Sequence, residues 1–126
     1  MAKEVSTNGR KKVETLMKEF NDNFPYLSLS IGKLKNDGFY KCNTDSTLAE
    51  LREKKGNGEI SFIGSKHVKT LEREFLEEFG LQMQICITEG DGRKYYSGGL
   101  YDEMSLTEFN KKMEQAGCKK GNWKWE

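Results

Sequence analysis

The sequence predicts an α+β protein: two tandem β-α-β-β-α repeats forming one pseudo-twofold domain, with a short C-terminal strand. Three observations carry this. Residues 4–25 (EVSTNGRKKVETLMKEFNDNFP) and 59–80 (EISFIGSKHVKTLEREFLEEFG) align at a constant shift of 55. Each copy holds an apolar stripe of helical period. Each is followed by a segment that alternates apolar and polar residues, as a strand does.

The aligned pairs include Glu4/Glu59, Ser6/Ser61, Gly9/Gly64, Lys11/Lys66, Val13/Val68, Thr15/Thr70, Leu16/Leu71, Glu19/Glu74, Phe20/Phe75 and Phe24/Phe79. Farther on, TLAEL at 47–51 matches SLTEF at 105–109. Such agreement at one register marks an internal duplication.

Each repeat opens on a short extended segment, KEVST or GEISFIG. A helix follows. Val13, Leu16, Met17, Phe20 and Phe24 form one stripe, and Val68, Leu71, Phe75, Leu76 and Phe79 the other. Pro25 and Gly80 end the two helices. Leu76 stands where the first helix has Asn21, so the second helix is expected to be buried more deeply. Next, Leu27, Leu29 and Ile31 share one strand face, with Ser28 and Ser30 opposite on an expected wet face. Likewise Leu81, Met83, Ile85 and Ile87 oppose Gln82, Gln84 and Cys86. The turns NDG and EGDG suit hairpins that need positive φ, returning through GFYKC and RKYYSG. A second helix closes each repeat. Thr47 with Glu50, and Ser105 with Glu108, are capping-box pairs. GNWKWE at 121–126 reads as the last strand. The chain is therefore one domain, 1–126, built from repeats at about 3–57 and 58–120. A repeat of about 55 residues would be marginal alone, so the two are expected to share a core.

The 126 residues carry 21 basic and 20 acidic side chains, a formal charge of +1. This near balance argues against a polybasic binder and leaves room for a local basic face. The opening MAKEVSTNGRKK has no apolar run after its charges, which predicts no secretory leader. No stretch approaches the ~20 apolar residues of a membrane span. Cys42, Cys86 and Cys118 are odd in number and lack CxxC spacing, so free thiols in a reducing cytoplasm are expected.

Two features are candidate binding sites. The first is the start of each long helix, GRKKV and GSKHV. Lys11, Lys12, Lys66 and His67 place cations where a helix favours anions. Free helix N–H groups with a Lys would bind phosphate or carboxylate; the simpler reading is a tolerated surface Lys copied by duplication. The second is the pair of hairpins. Phe39, Tyr40, Tyr95 and Tyr96 sit beside Lys33, Lys35, Lys41, Arg93 and Lys94, and Trp123 and Trp125 share one face of the tail. Packing into the sheet's core is the first reading of these rings. Stacking on nucleic-acid bases beside the cations is the second.

Other patterns carry less. No GxxxxGK[ST] or GxGxxG occurs, and GDGRKYYSGG lies in a hairpin rather than between strand and helix. His67 is the only histidine, without HxxE or CxxH spacing, so neither a metal nor another cofactor is expected. A Cys–His pair would need His67 to meet a distant cysteine, and Cys86 reads as structural. Glu72, Glu74, Glu77 and Glu78 read as a solvated helix face.

The phrase V-x-T-L-x-x-E-F-x-x-x-F, at 13–24 and again at 68–79, with T-L-A-E-L downstream, resembles small uncharacterised bacterial proteins bearing the same tandem phrase. The resemblance covers most of the chain. It implies a bacterial origin and assigns neither an activity nor a functional residue. The expected function is a non-enzymatic protein-binding or regulatory module of the cytoplasm, acting through a protein partner or self-association and not at a membrane. The alternative is a nucleic-acid binder using the basic helix starts and the hairpin rings, with Lys11, Lys12, Lys66, His67, Arg93 and Lys94 as its contacts.

Overall fold

The computed structural model describes residues 4–35, 38–52, 59–96 and 103–120. Across them the chain is α+β, with four helices and two sheets. In order come β1 (Glu4–Thr7), α1 (Val13–Asn23), β2 (Leu27–Lys35), β3 (Gly38–Lys41) and α2 (Leu48–Leu51). Then follow β4 (Ile60–Ile63), α3 (Val68–Phe79), β5 (Gln82–Thr88), β6 (Lys94–Tyr96) and α4 (Leu106–Gln115). The expected strand at 121–126, with Trp123 and Trp125, lies outside the described residues.

Both sheets join the first half of the chain to the second. β1 pairs antiparallel with β4, and Ser6 faces Ser61. The larger sheet has the order β3-β2-β5-β6, all antiparallel. At its centre β2 pairs with β5 from Leu27↔Ile87 to Gly32↔Gln82, with Ser30 facing Gln84. Directly opposed residues share a sheet face. Leu27, Leu29, Ile31, Met83, Ile85 and Ile87 thus form one apolar face, and all six are buried.

The helical stripes complete that core. α1 buries Val13, Leu16, Met17 and Phe20, and α3 buries Val68, Leu71, Phe75 and Phe79. Five rings run in a chain through it. Phe24 and Phe20 have centroids 5.2 Å apart, and Phe75 and Phe79 5.0 Å. Phe62 of β4 stands between the pairs, 5.9 Å from Phe20 and 6.4 Å from Phe75, edge-on to both at 79° and 81°. Edge-to-face pairs add about 0.5–1.5 kcal/mol each beyond their burial. The first-half residue aligned with Phe62 is Thr7. It is buried, and its hydroxyl has no hydrogen-bond partner.

The helix ends follow local chemistry. Gly80 takes φ 68°, the left-handed turn that favours glycine, and its N–H donates to Leu76 O at 2.8 Å. α1 stops before Pro25, and the Asn21 amide donates to Leu27 O at 2.8 Å. Two further contacts tie the halves. The Arg52 guanidinium, just after α2, donates to Glu78 O at 2.7 Å and to Glu78 Oε1 at 3.1 Å, and lies 4.9 Å from the centre of the Phe79 ring. On the other side, Asn110 Oδ1 of α4 accepts from Tyr26 N–H at 2.9 Å. Burial first, and the Glu114 carboxylate second, push the Tyr26 phenol above its ordinary value.

Two expectations are corrected. Leu76 does not deepen the burial of α3, because it is 46% exposed. One position past Phe75, it is rotated about 100° away from the buried stripe. The Ser face of β2 is not wet either. Ser28 and Ser30 are each 1% exposed, and Cys86 is fully buried beside them. These short side chains lie on strands flanked on both sides, below longer neighbours: Cys86 faces Tyr96, and Gly32 faces Lys41.

Phe62→Ala is expected to lower stability by about 3–5 kcal/mol in urea unfolding. Thr7→Val, which removes the unpartnered hydroxyl at nearly constant shape, is expected to raise it by about 1 kcal/mol. A loss at Thr7→Val would mean that this hydroxyl is satisfied in solution.

Candidate functional site

The helix starts are held by backbone. Val13 N–H donates to Ser46 O at 3.0 Å, and Glu14 N–H to Thr44 O at 2.9 Å. In return, Leu48 N–H donates to Lys11 O at 3.1 Å and Ala49 N–H to Gly9 O at 2.8 Å. α1 and α2 therefore cap each other through the bridge between Lys12 and Thr47. The second half has the same arrangement. Val68 N–H donates to Met104 O, Leu106 N–H to Lys66 O and Thr107 N–H to Gly64 O, around the bridge between His67 and Ser105.

This interlock explains the repeated residues. A Cβ at Gly9 would lie 3.1 Å from Ala49 Cβ, and one at Gly64 only 2.2 Å from Thr107 Oγ1. Lys11 Nζ pairs with Glu19 Oε2 at 2.7 Å and also donates to Ser6 O. Lys66 Nζ pairs with Glu74 Oε1 at 2.8 Å. Thr47 and Glu50 form the full capping box, whose hydrogen bonds hold the Glu50 carboxyl below its ordinary value. At Ser105 the hydroxyl accepts from Glu108 N–H and donates to Glu108 Oε1.

The anion site expected from free amides and unengaged lysines is therefore not the arrangement present. The amides of Val13, Glu14 and Val68 already donate to carbonyls, and Lys11 and Lys66 neutralise carboxylates of their own helices. Lys12 and His67 are exposed N-caps without a side-chain capping bond.

The hairpins present the other candidate surface. Tyr40, Tyr95 and Tyr96 are 45%, 44% and 44% exposed. The expectation that these rings fill the core is corrected: they lie on the two outermost strands of the four-stranded sheet, at its rims. The side chains of Lys35 and Phe39 fall outside what the structure describes. Tyr40 faces Lys33 and is followed by exposed Lys41. Tyr95 faces Ile87, Lys94 faces Thr88, and exposed Arg93 precedes them. The β5–β6 turn closes through Gly92 N–H to Glu89 O at 2.9 Å, with Gly92 at φ 88°, and Asp91 Oδ1 accepts from Arg93 N–H at 2.9 Å.

The register locates the rims relative to each other. Tyr95 lies in the row of Leu27 and Tyr40 in the row of Lys33, on opposite edges of the sheet. That offset is about 20 Å along the strands and about 14 Å across them, so the two rings stand about 25 Å apart at diagonal corners. The Tyr40 corner adjoins the start of α1: Lys41 ends β3, and Thr44 O accepts from Glu14 N–H.

Cys86 lies on the sheet's second face. Burial pushes its thiol up to about 12, against smaller opposing effects from Lys94, Lys41 and the Ser28 hydroxyl. The cations of both hairpins therefore act on this face. All three cysteines are free thiols. Among the described residues no three His, Cys, Asp or Glu side chains gather as a metal site requires, and no helix is long and apolar enough to cross a membrane. Comparison of the chain with models of protein families, with curated proteins and with solved structures finds no match.

A thiol raised from 9.0 to about 12 favours the folded state while it stays protonated. Its contribution is complete below pH 9.0 and is lost as pH rises through about 12. The parent protein is therefore expected to lose more stability than Cys86→Ala across that window, by urea unfolding at each pH. Equal losses would contradict the burial of this thiol.

Proposed function

We propose that this protein binds single-stranded nucleic acid along the two outer rims of its sheet. The observation that carries the reading is the exposure of Tyr40, Tyr95 and Tyr96 on the outermost strands, beside Lys33, Lys41, Arg93 and Lys94. An exposed ring offers a face on which any base can stack, and a neighbouring cation holds the phosphate. Burying these rings in a core would have removed both options. Lys11 and Lys66 at the helix starts are left out of this reading: each is folded back on a carboxylate of its own helix, Glu19 or Glu74, with no exposed ring beside it.

The same reading includes the architecture. The halves are a duplicated unit whose pseudo-twofold axis passes through Ser6/Ser61 and Ser30/Gln84. Those pairs support it: the first is aligned by the 55-residue shift, and the second by a shift of 54 after the extra residue at Pro25–Tyr26. Under that axis Tyr40 and Tyr95 are equivalent positions, and Phe62 and Thr7 are one position filled in two ways.

A protein partner is the competing reading. Tyrosine is enriched at protein interfaces, and an outermost strand can accept an added strand. Salt separates the two readings. Four phosphate contacts give a log–log slope of about −3 for a single strand, or about a 50-fold loss between about 50 and 200 mM salt. Binding to a fluorescent single-stranded oligonucleotide is expected to follow that slope. Tyr40→Ala and Tyr95→Ala are each expected to cost about 1–3 kcal/mol, and Lys66→Ala, whose cation is held by Glu74, to leave binding unchanged. Absence of binding at low salt would give the rims to a protein partner.

A further inference from the structure

We infer that residues 121–126, with Trp123 and Trp125, dock as an intramolecular cover on the second face of the four-stranded sheet. This stands apart from the nucleic-acid reading. It closes that face to other ligands and leaves the rims open. The face needs a cover. Ser28 and Ser30 are each 1% exposed and Cys86 is 0% exposed, although all three side chains are short. Tyr96 and Lys41 shade the margins, but both are themselves exposed. The four described helices do not serve, because each turns its buried residues into the core on the opposite face. Two hydroxyls of the covered face, Ser30 Oγ and Thr88 Oγ1, are buried without a hydrogen-bond partner. A cover that brings donors relieves the cost of leaving such groups unpaired.

The path of the chain selects the occupant. α4 ends with Gly117 at φ 88°, where Gly117 N–H donates to Glu114 O at 3.2 Å and Cys118 N–H to Met113 O at 3.0 Å. This left-handed stop turns the chain out of the helix. Lys119 N–H then donates to Thr88 O at 2.9 Å, which sets the chain at the Thr88 end of the covered face. From Thr88 to Gln82 that face runs about 20 Å along β5, and six extended residues span about the same length. In an extended segment Trp123 and Trp125 point to one side, away from Asn122 and Lys124. Two large rings suit a face floored by serine, glycine and cysteine. Their indole N–H groups are donors of the kind that Ser30 and Thr88 lack. Tethering decides against a second copy, because a short linker holds its segment at a high effective concentration.

Trp123 and Trp125 are the only tryptophans of the chain, so indole fluorescence reports on this segment alone. Acrylamide quenching is expected to be several-fold weaker in the folded protein than in urea, at every protein concentration. Nuclear Overhauser contacts are expected from the indole protons to Ser28 and Ser30. Trp123→Ala with Trp125→Ala, verified as folded by circular dichroism, removes the cover. Alkylation of Cys86 by iodoacetamide, read by peptide mass spectrometry, should then rise at least about tenfold more than the variant's loss of global stability in urea accounts for. Quenching as strong in the folded protein as in urea would overturn the docking. Shielded indoles without contacts to Ser28 or Ser30, or Cys86 alkylation that follows global stability alone, would place the rings on another surface and overturn it as well. Shielding lost on dilution would give the face to a second copy and so contradict an intramolecular cover. None of these results depends on whether oligonucleotides bind the rims.

Discussion

Phe62 is the ring on which the rest of this structure depends. It enters between Phe20 and Phe75 and meets each edge-on, so the helices of both halves close on one side chain. The pairing of β2 with β5 makes the same connection in the sheet. A half of about 55 residues buries too little apolar surface to be secure alone. Two halves that share Phe62, the central strands and the Arg52 and Asn110 contacts bury one core between them. Phe62 fills the gap between Phe20 and Phe75, while the residue aligned with it in the first half, Thr7, is also buried.

The helix starts supply the second constraint. Each long helix begins where a short loop and another helix begin, and the two ends satisfy one another's backbone groups. Glycine at positions 9 and 64 permits the approach. The ion pairs of Lys11 and Lys66 are partly exposed and contribute little energy by themselves, about 0–1 kcal/mol. Their value is positional, because they fold each Lys back along its helix. The interlock also sets the Tyr40 corner, since the chain passes from Lys41 to the α1 start through Cys42–Thr44.

Much of this was legible in the sequence. The helical stripes, the stops at Pro25 and Gly80, the caps at Thr47 and Ser105 and the alternation in β2 and β5 are local patterns, and local patterns survive in one dimension. The partners of Lys11 and Lys66 could also have been read. Glu19 and Glu74 are aligned identities at the same spacing from those lysines, and a repeated Lys–Glu spacing is the signal of a pair. Other features depend on topology. Whether a Ser on a strand is wet depends on which strands flank it, so Ser28 and Ser30 gave no warning of burial. Whether a Tyr is core or rim depends on the strand order, which placed Tyr40, Tyr95 and Tyr96 at the edges. Leu76 looked like part of a stripe because its neighbours were apolar, although its angular position put it outside.

The central claim is that the two halves unfold as one body with the rims at its margin. Native-state hydrogen exchange tests it most directly, since amides that open only in global unfolding share one free energy. The account predicts that amides of α1, β2, α3 and β5 exchange with a single, highest protection, and that those of β3 and β6 exchange earlier through local opening. Two separate plateaus, one for residues 4–52 and one for 59–120, would contradict it.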